Sequence, residues 1–253
     1  MKFSLLPAAL ALAATAILAA ASGVRAEFKV RSPVVEKDEL SLEQVGSAGY
    51  SRSDRRSNEL SVVHELEYGV NDHLLIELEG EWAREAGPGS DRRFKATTLG
   101  GMIAPFAQGE LWLDGAFWIE YGRVNATTDP DTVKFGPVLQ KSLGPTTVTG
   151  NFYMEKQVGI HSSGYPVATY GAQWRYDWLK ELAPAIEVFG QLGDVNGMNN
   201  PRNQQHRVGP VLTGTLGVGR AGEFKYELGY LAGLTNLTAD HTVKWKAEYE
   251  IAF

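Results

Sequence analysis

The side chains of this sequence that could do chemistry are carboxylates and amines set two residues apart. Glu65 and Glu67 are followed by Glu77, Glu79 and Glu81, with Glu43 ahead of them; Lys244, Lys246 and Glu248 repeat the spacing near the C-terminus, and Arg93, Lys95, Asp114 and Glu120 fall between. Residues two apart share one face of a strand and diverge on a helix, so these groups form ionised rows only if the chain is extended. Such rows can attract and order small ions or pair with one another across strands. Nucleophilic chemistry has a thinner basis. The stretch Gly159 to Gly164, GIHSSG, sets His161 and Ser163 two apart, a possible base and nucleophile. Ser-Ser-Gly beside a polar histidine is also ordinary turn chemistry, and no orienting acid is identifiable, so no catalytic residue is assigned. The five histidines, His64, His73, His161, His206 and His241, have no ligand spacing; His73, beside the glutamates, is the single one within conceivable reach of them. No metal and no cofactor is predicted. The absence of cysteine removes disulfides and thiolate sites as well.

The elements that would position these rows are strands of strict alternation. In Glu59 to Val70 the parity of Leu60, Val62, Leu66, Tyr68 and Val70 opposes that of Glu59, Ser61, Glu65 and Glu67; in His73 to Trp82, Leu74, Ile76, Leu78 and Trp82 oppose Glu77, Glu79 and Glu81. Gly109 to Tyr121, Glu223 to Ala232 and the closing Val243 to Phe253 follow the same rule. In each of these segments one parity is free of Asp, Glu, Lys and Arg while the other is crowded with them. About twelve such strands are predicted, long enough to cross a bilayer when tilted. Alternation alone also fits a soluble sandwich with its uncharged face inside. Loop order separates the two. Val70 to Asp72, Ala104 to Gln108, Ser142 to Pro145 and Gly219 to Gly222 read as short turns; Ser47 to Ser57, Arg84 to Arg92, Gly122 to Asp131 and Gly193 to Gln205 read as long polar loops. That asymmetry belongs to barrels with one end in the periplasm and the other outside.

The compartment is read from the first residues. Met1-Lys2, an apolar run from Leu5 to Ala21 and the ending Val24-Arg25-Ala26 form a secretory signal, cut after Ala26, leaving 27–253 as one barrel domain. The whole sequence has a formal net charge of -6, and losing Lys2 and Arg25 makes the remainder more acidic, which argues against nucleic-acid binding. The fold class predicted is therefore all-β: a transmembrane, antiparallel, up-and-down β-barrel in the outer membrane.

The last strand carries a more specific likeness. Trp245, Tyr249, Ile251 and the terminal Phe253 resemble the assembly signal of Gram-negative outer-membrane β-barrel proteins, which the barrel-assembly machinery recognises. Size and strand pattern are similar to those of a broad group of small proteobacterial outer-membrane proteins assigned as transporters, including the phenol-degradation-associated type. His161-x-Ser163 looks like the His-x-Ser-Asn motif of outer-membrane phospholipases and lipid A deacylases, but Gly164 stands where that motif has Asn. These likenesses imply outer-membrane lipid, the assembly machinery and an unidentified small solute as partners.

Two internal segments also match in register: Val133 to Gly144, VKFGPVLQKSLG, and His206 to Gly217, HRVGPVLTGTLG. Their Pro-Val pairs, with a third at Pro166, read as punctuation early in strands that follow long loops. The functional expectation is a passive channel or transporter whose lumen is lined by Glu65, Glu67, Glu77, Glu79, Glu81, Arg93, Lys95, Asp114, Glu120, Lys244, Lys246 and Glu248. A lipid-modifying enzyme using Ser163 and His161 is the alternative, as is a structural or adhesive barrel acting through its outer loops.

Overall fold

Apolar and ionised residues alternating at period two can be segregated only by extended backbone, and extended backbone in a membrane must pair every edge. The chain meets both demands. A computed structural model describes residues 28–52, 59–84, 90–126, 129–160, 162, 164–196, 204–218 and 222–252. Its strands are β1 (Glu39–Tyr50), β2 (Glu59–Asn71), β3 (Leu74–Arg84), β4 (Arg93–Ile103), β5 (Asp114–Val124), β6 (Asp131–Leu143), β7 (Thr146–Val158), β8 (Val167–Tyr176), β9 (Ala183–Asp194), β10 (Gln205–Gly217), β11 (Glu223–Gly233) and β12 (His241–Ala252). Each pairs antiparallel with its sequence neighbours, and β12 returns to pair with β1 over Glu39↔Ala252 to Tyr50↔His241, closing a barrel. Among the described residues no helix is long and apolar enough to cross a bilayer.

The two parities part as the alternation requires. Ile76 is 46% exposed and Phe117 45%, whereas Glu77, next to Ile76 in sequence, is 1% exposed. Leu42, Leu66, Leu78, Ile119 and Leu228 continue the outward apolar belt. Aromatic side chains mark its edges. Trp82, Tyr121 and Tyr230 stand exposed toward the end of the long connections, and Trp174, Tyr176 and Trp178 toward the other. Leu78 and Leu99 are directly opposed in the β3–β4 pair, and Leu99 is 62% exposed near the middle of its strand. Leu99→Arg is therefore expected to cost about 2–4 kcal/mol of barrel stability, measured by urea titration in lipid vesicles.

Connections 51–58, 85–92, 125–130, 159–166, 195–204 and 234–240 lie at one end, and 72–73, 104–113, 144–145, 177–182 and 218–222 at the other, which also holds the start of β1 and the end of β12. By the turn-length rule the second end is periplasmic. One connection departs from the sequence reading. A strand from Gly109 was expected, but β5 begins at Asp114 and 104–113 is a long periplasmic connection. Gly109 takes a φ of +77°, its N–H donates to Asp114 Oδ1 at 2.5 Å, and Ala107 N–H donates to Glu110 Oε2 at 3.0 Å. These local bonds give the backbone a partner other than the ladder. Leu111 and Trp112, read as strand residues, are exposed here instead.

The repeated segment is a second departure. Pro137 and Pro210 lie in the middle of β6 and β10 rather than at the rim. At both, the ladder to the following strand lapses: β6–β7 pairing skips from Phe135↔Met154 to Val138↔Asn151, and β10–β11 from Val208↔Ala232 to Val211↔Gly229. Proline has no N–H to give, and a Cβ on Gly136 or Gly209 would strike the carbonyl oxygen of Phe152 or Tyr230, so the Gly-Pro pair lets the strands approach where they are not bonded.

Candidate functional site: a charged lumen and its N-terminal strap

Register alone would make the inner face of β12, β1, β2 and β3 repulsive. Glu43 faces Glu65 across β1–β2, Glu65 faces Glu79 and Glu67 faces Glu77 across β2–β3, and Glu248 faces Glu43 across β12–β1. Like charges directly opposed across a ladder are destabilising, and burial raises the cost. Residues 28–38 resolve this. They enter the lumen from the periplasmic end as a strap and lay two cations on the acidic wall.

Lys29 Nζ lies 2.7 Å from Glu43 Oε1, 2.7 Å from Glu67 Oε1 and 3.4 Å from Glu77 Oε2, and is also paired with Glu65. The Arg31 guanidinium grips Glu77 with both terminal nitrogens, at 2.6 and 2.8 Å, and reaches Glu79 at 3.0 Å. A forked, charge-assisted pair of this kind fixes orientation as well as adding energy. The strap is held by more than charge. The Asn151 side-chain amide accepts from Arg31 N–H at 2.7 Å and donates to Arg31 C=O at 2.9 Å, Ser32 Oγ donates to Gln140 at 3.2 Å, and the Arg31 guanidinium lies 3.8 Å above the Trp118 ring. Val35 packs with Leu75 against Met102, Trp118, Val138 and Tyr153. Two glycines make room: a Cβ on Gly69 would meet the carbonyl oxygen of Glu36 where the strap crosses the rim, and one on Gly100 would meet the Trp118 indole. Asp38 N–H then donates to Gly69 C=O at 2.9 Å, joining strap to barrel.

Further ion pairs lie along and beside this wall. Lys244 is completely buried between Glu187 at 2.6 Å and Glu227 at 3.0 Å, and Gln173 also donates to Glu187, at 2.8 Å. Lys246 reaches Glu43 at 2.8 Å and Glu248 at 2.7 Å, and Ser41 Oγ donates to Glu248 at 2.9 Å. Lys134 meets Glu120 at 3.0 Å, and Trp118 Nε1–H donates to the same carboxylate at 2.7 Å.

Of the residues the sequence singled out, Glu65, Glu67, Glu77 and Glu79 meet on the strap, and Lys246 and Glu248 join them through Glu43. Glu81, next up β3, is half-buried and accepts from Ser61 Oγ at 3.0 Å. Lys244 and Glu120 belong to the separate pairs just described. Asp114 begins β5 near the periplasmic mouth, accepting from Gly109 N–H. Arg93 stands exposed opposite Ala83 at the outer end of β4, and Lys95 is half-buried where the β3–β4 register shifts. His73 lies in the exposed turn between β2 and β3, its Nδ1 2.8 Å from Ala104 O, far in function from the acidic wall. Trp245 packs over Gly46 with its Nε1–H donating to Gln44 at 3.3 Å, sealing the β12–β1 seam, and Tyr249 pairs with Leu42 and Ile251 with Leu40 in the same seam. The signal segment, His161, Ser163 and Phe253 lie outside the described residues.

Sequence reasoning missed Lys29, Arg31, Lys134, Glu187 and Glu227. A signal for the first two was present: Lys29-Val30-Arg31 has the same two-residue spacing as the glutamates it covers. Two carboxylate triads, Glu43 with Glu65 and Glu67, and Glu65 with Glu77 and Glu79, converge closely enough to hold a metal ion. The Lys29 ammonium and the Arg31 guanidinium occupy the space between those oxygens, so a metal would have to displace the strap.

A cavity of about 570 Å3 lies on the periplasmic side of the strap, among Glu39, Glu67, Asp177, Lys225 and Glu250, and one of about 360 Å3 on the outer side, among Glu59, Lys134, Tyr170 and Arg207. Lys29 and Arg31 line both.

No protein-family model and no curated protein matches the chain. Solved structures do. The COG4313 outer membrane channel from Pseudomonas putida F1 is 14% identical, with a TM-score of 0.54 over 91% of this chain and 99% of that one. LpxR from Salmonella typhimurium, 10% identical, aligns over 84% and 100% with a TM-score of 0.43, and OccK11 from Pseudomonas aeruginosa, 10% identical, over 85% and 67% with 0.39. Closed strand order, outward apolar belt and aromatic girdles together define an outer-membrane β-barrel. The likeness to the Pseudomonas putida channel is one of fold.

Proposed function

We propose that the barrel is a passive conduit for small solutes, narrowed by its N-terminal strap and favouring cations. The observation that carries this reading is the pair of polar cavities, one on each side of the strap and both lined by Lys29 and Arg31. A barrel filled for rigidity alone would need no such space. The constriction lies at a tethered segment and not at a strand, so it can yield without breaking the sheet. Carboxylates outnumber cations in the lining of the periplasmic cavity, eight to six, and an acidic excess around a narrow passage enriches cations.

Single-channel recording in planar bilayers tests the proposal. Small, discrete currents are expected, with a reversal potential in a potassium chloride gradient displaced toward that of potassium. Bilayers that contain folded barrel but show no current above background would eliminate the conduit.

A further inference from the structure

We propose that the outer cavity binds a small organic anion, its carboxylate taken by Arg207 and its apolar part laid on Phe28, Phe189 and Tyr170. The assignment names a ligand class for one chamber of the proposed conduit and rests on that reading for its role, though not for the binding itself.

The repeated segment is the first observation. VKFGPV and HRVGPV put Lys134 and Arg207 at matching places, two residues ahead of a glycine beside which the ladder lapses. The register is the same on both sides of each gap, so Lys134 and Arg207 keep the inward parity, and both line the same cavity. They are not equivalently satisfied. Lys134 has Glu120 at 3.0 Å. The Arg207 side chain is 11% exposed, its Nε has no hydrogen-bond partner among the described residues, and Glu59 is 3.9 Å from Nη2, beyond hydrogen-bond reach. The Phe28 ring lies 4.9 Å from the guanidinium carbon.

Buried donors are nearly always bonded, and a buried guanidinium without a close anion is costly. Lys29 and Arg31 also border the cavity but are committed to the acidic wall. Arg207 is thus the cation with donors to spare, and its fork fits a carboxylate.

The rest of the cavity says what the carboxylate is attached to. Phe28 meets Phe189 edge to face at 5.2 Å, and the Tyr170 hydroxyl bonds to His206 Nδ1 at 2.9 Å, turning its ring along the wall. Gly190 and Gly171 leave the space these rings use, since a Cβ on Gly190 would collide with Tyr170 and one on Gly171 would press on Phe189 at 3.1 Å. A volume of about 360 Å3 suits a small molecule. Glu59 and Glu155 in the same lining oppose additional negative charge, so a monoanion fits better than a dianion.

Titration calorimetry on the detergent-solubilised full chain, with hexanoate, acetate and hexanamide as probes, tests the site. Hexanoate is expected to bind, acetate more weakly, and the uncharged amide not detectably. Arg207→Gln is expected to lower hexanoate affinity about tenfold or more, as loss of a charge-assisted fork should, with Arg207→Lys in between. Phe189→Ala should bring hexanoate toward acetate. The heat-modifiable gel mobility of each variant reports whether the barrel has folded. Equal binding of hexanoate and hexanamide, hexanoate binding unchanged by Arg207→Gln in a folded barrel, or no binding to the wild type would each overturn the proposal; the last would mean that Arg207 is merely hydrated. Binding without current would remove the conduit and leave the site, and current without binding would do the reverse.

Discussion

Replacing Lys29 and Arg31 together with alanine should increase single-channel conductance several-fold and sharpen its preference for cations. Among the described residues those two side chains carry the ion pairs between the strap and the glutamates of the wall, the Arg31 guanidinium also lies on Trp118, and the strap is further anchored by the Asn151, Ser32 and Asp38 hydrogen bonds and the packing of Val35. Without the cations the strap loses its strongest bonds, and Glu43, Glu65, Glu67, Glu77 and Glu79 lose their counter-charge. Breaking one side of a buried ion pair costs about 3–5 kcal/mol when the other side stays buried. Here water and mobile cations can enter from the cavities on both sides, so the system has a cheaper response: the strap leaves and solvated ions replace it. The measured result is then a wider, more cation-selective pore in a barrel that still folds. Conductance and selectivity equal to those of the wild type would show that the strap is not the constriction.

The second large effect is expected from Lys244→Met, and it is one of stability. Lys244 has no exposed surface, sits between Glu187 and Glu227, and places its ammonium 5.4 Å from the Phe189 ring centre. Glu187 is likewise fully buried, so removing the lysine strands a carboxylate in a place water does not reach. A loss of about 3–5 kcal/mol is expected, read as a lower urea midpoint in lipid vesicles. Lys244→Met combined with Glu187→Gln should recover part of that loss, because the stranded charge and not the missing bond dominates it. A single variant with an unaltered midpoint would contradict the burial of this pair. The contrast between the two predictions follows from position: the strap network borders both cavities, whereas Lys244 and Glu187 border neither.

The sequence by itself determined the strands, their sidedness and the class of solvent around them. A period of two is a property of neighbouring residues, so Leu78 against Glu79 and Ile76 against Glu77 were legible without coordinates, as was the row of glutamates on one parity. Where local bonds compete with the ladder, legibility failed: Gly109 and Asp114 ended a strand that alternation alone would have begun, and the Gly-Pro pairs of β6 and β10 interrupted ladders in mid-strand. What neutralises the glutamates was decided by tertiary structure alone. Lys29 and Arg31 lie outside every strand and reach partners 14 to 48 positions away, a pairing set by where the strap re-enters the lumen and by the rim glycine, Gly69, that admits it. Arg207 and Lys134 were likewise matched by sequence, and only closure of the barrel gave Lys134 a carboxylate at 3.0 Å and left Arg207 with one no nearer than 3.9 Å among the described residues. Alternation records which way a side chain points, but a charge in a low-dielectric interior is governed by whatever lies opposite it, and in a closed barrel that is contributed by distant parts of the chain.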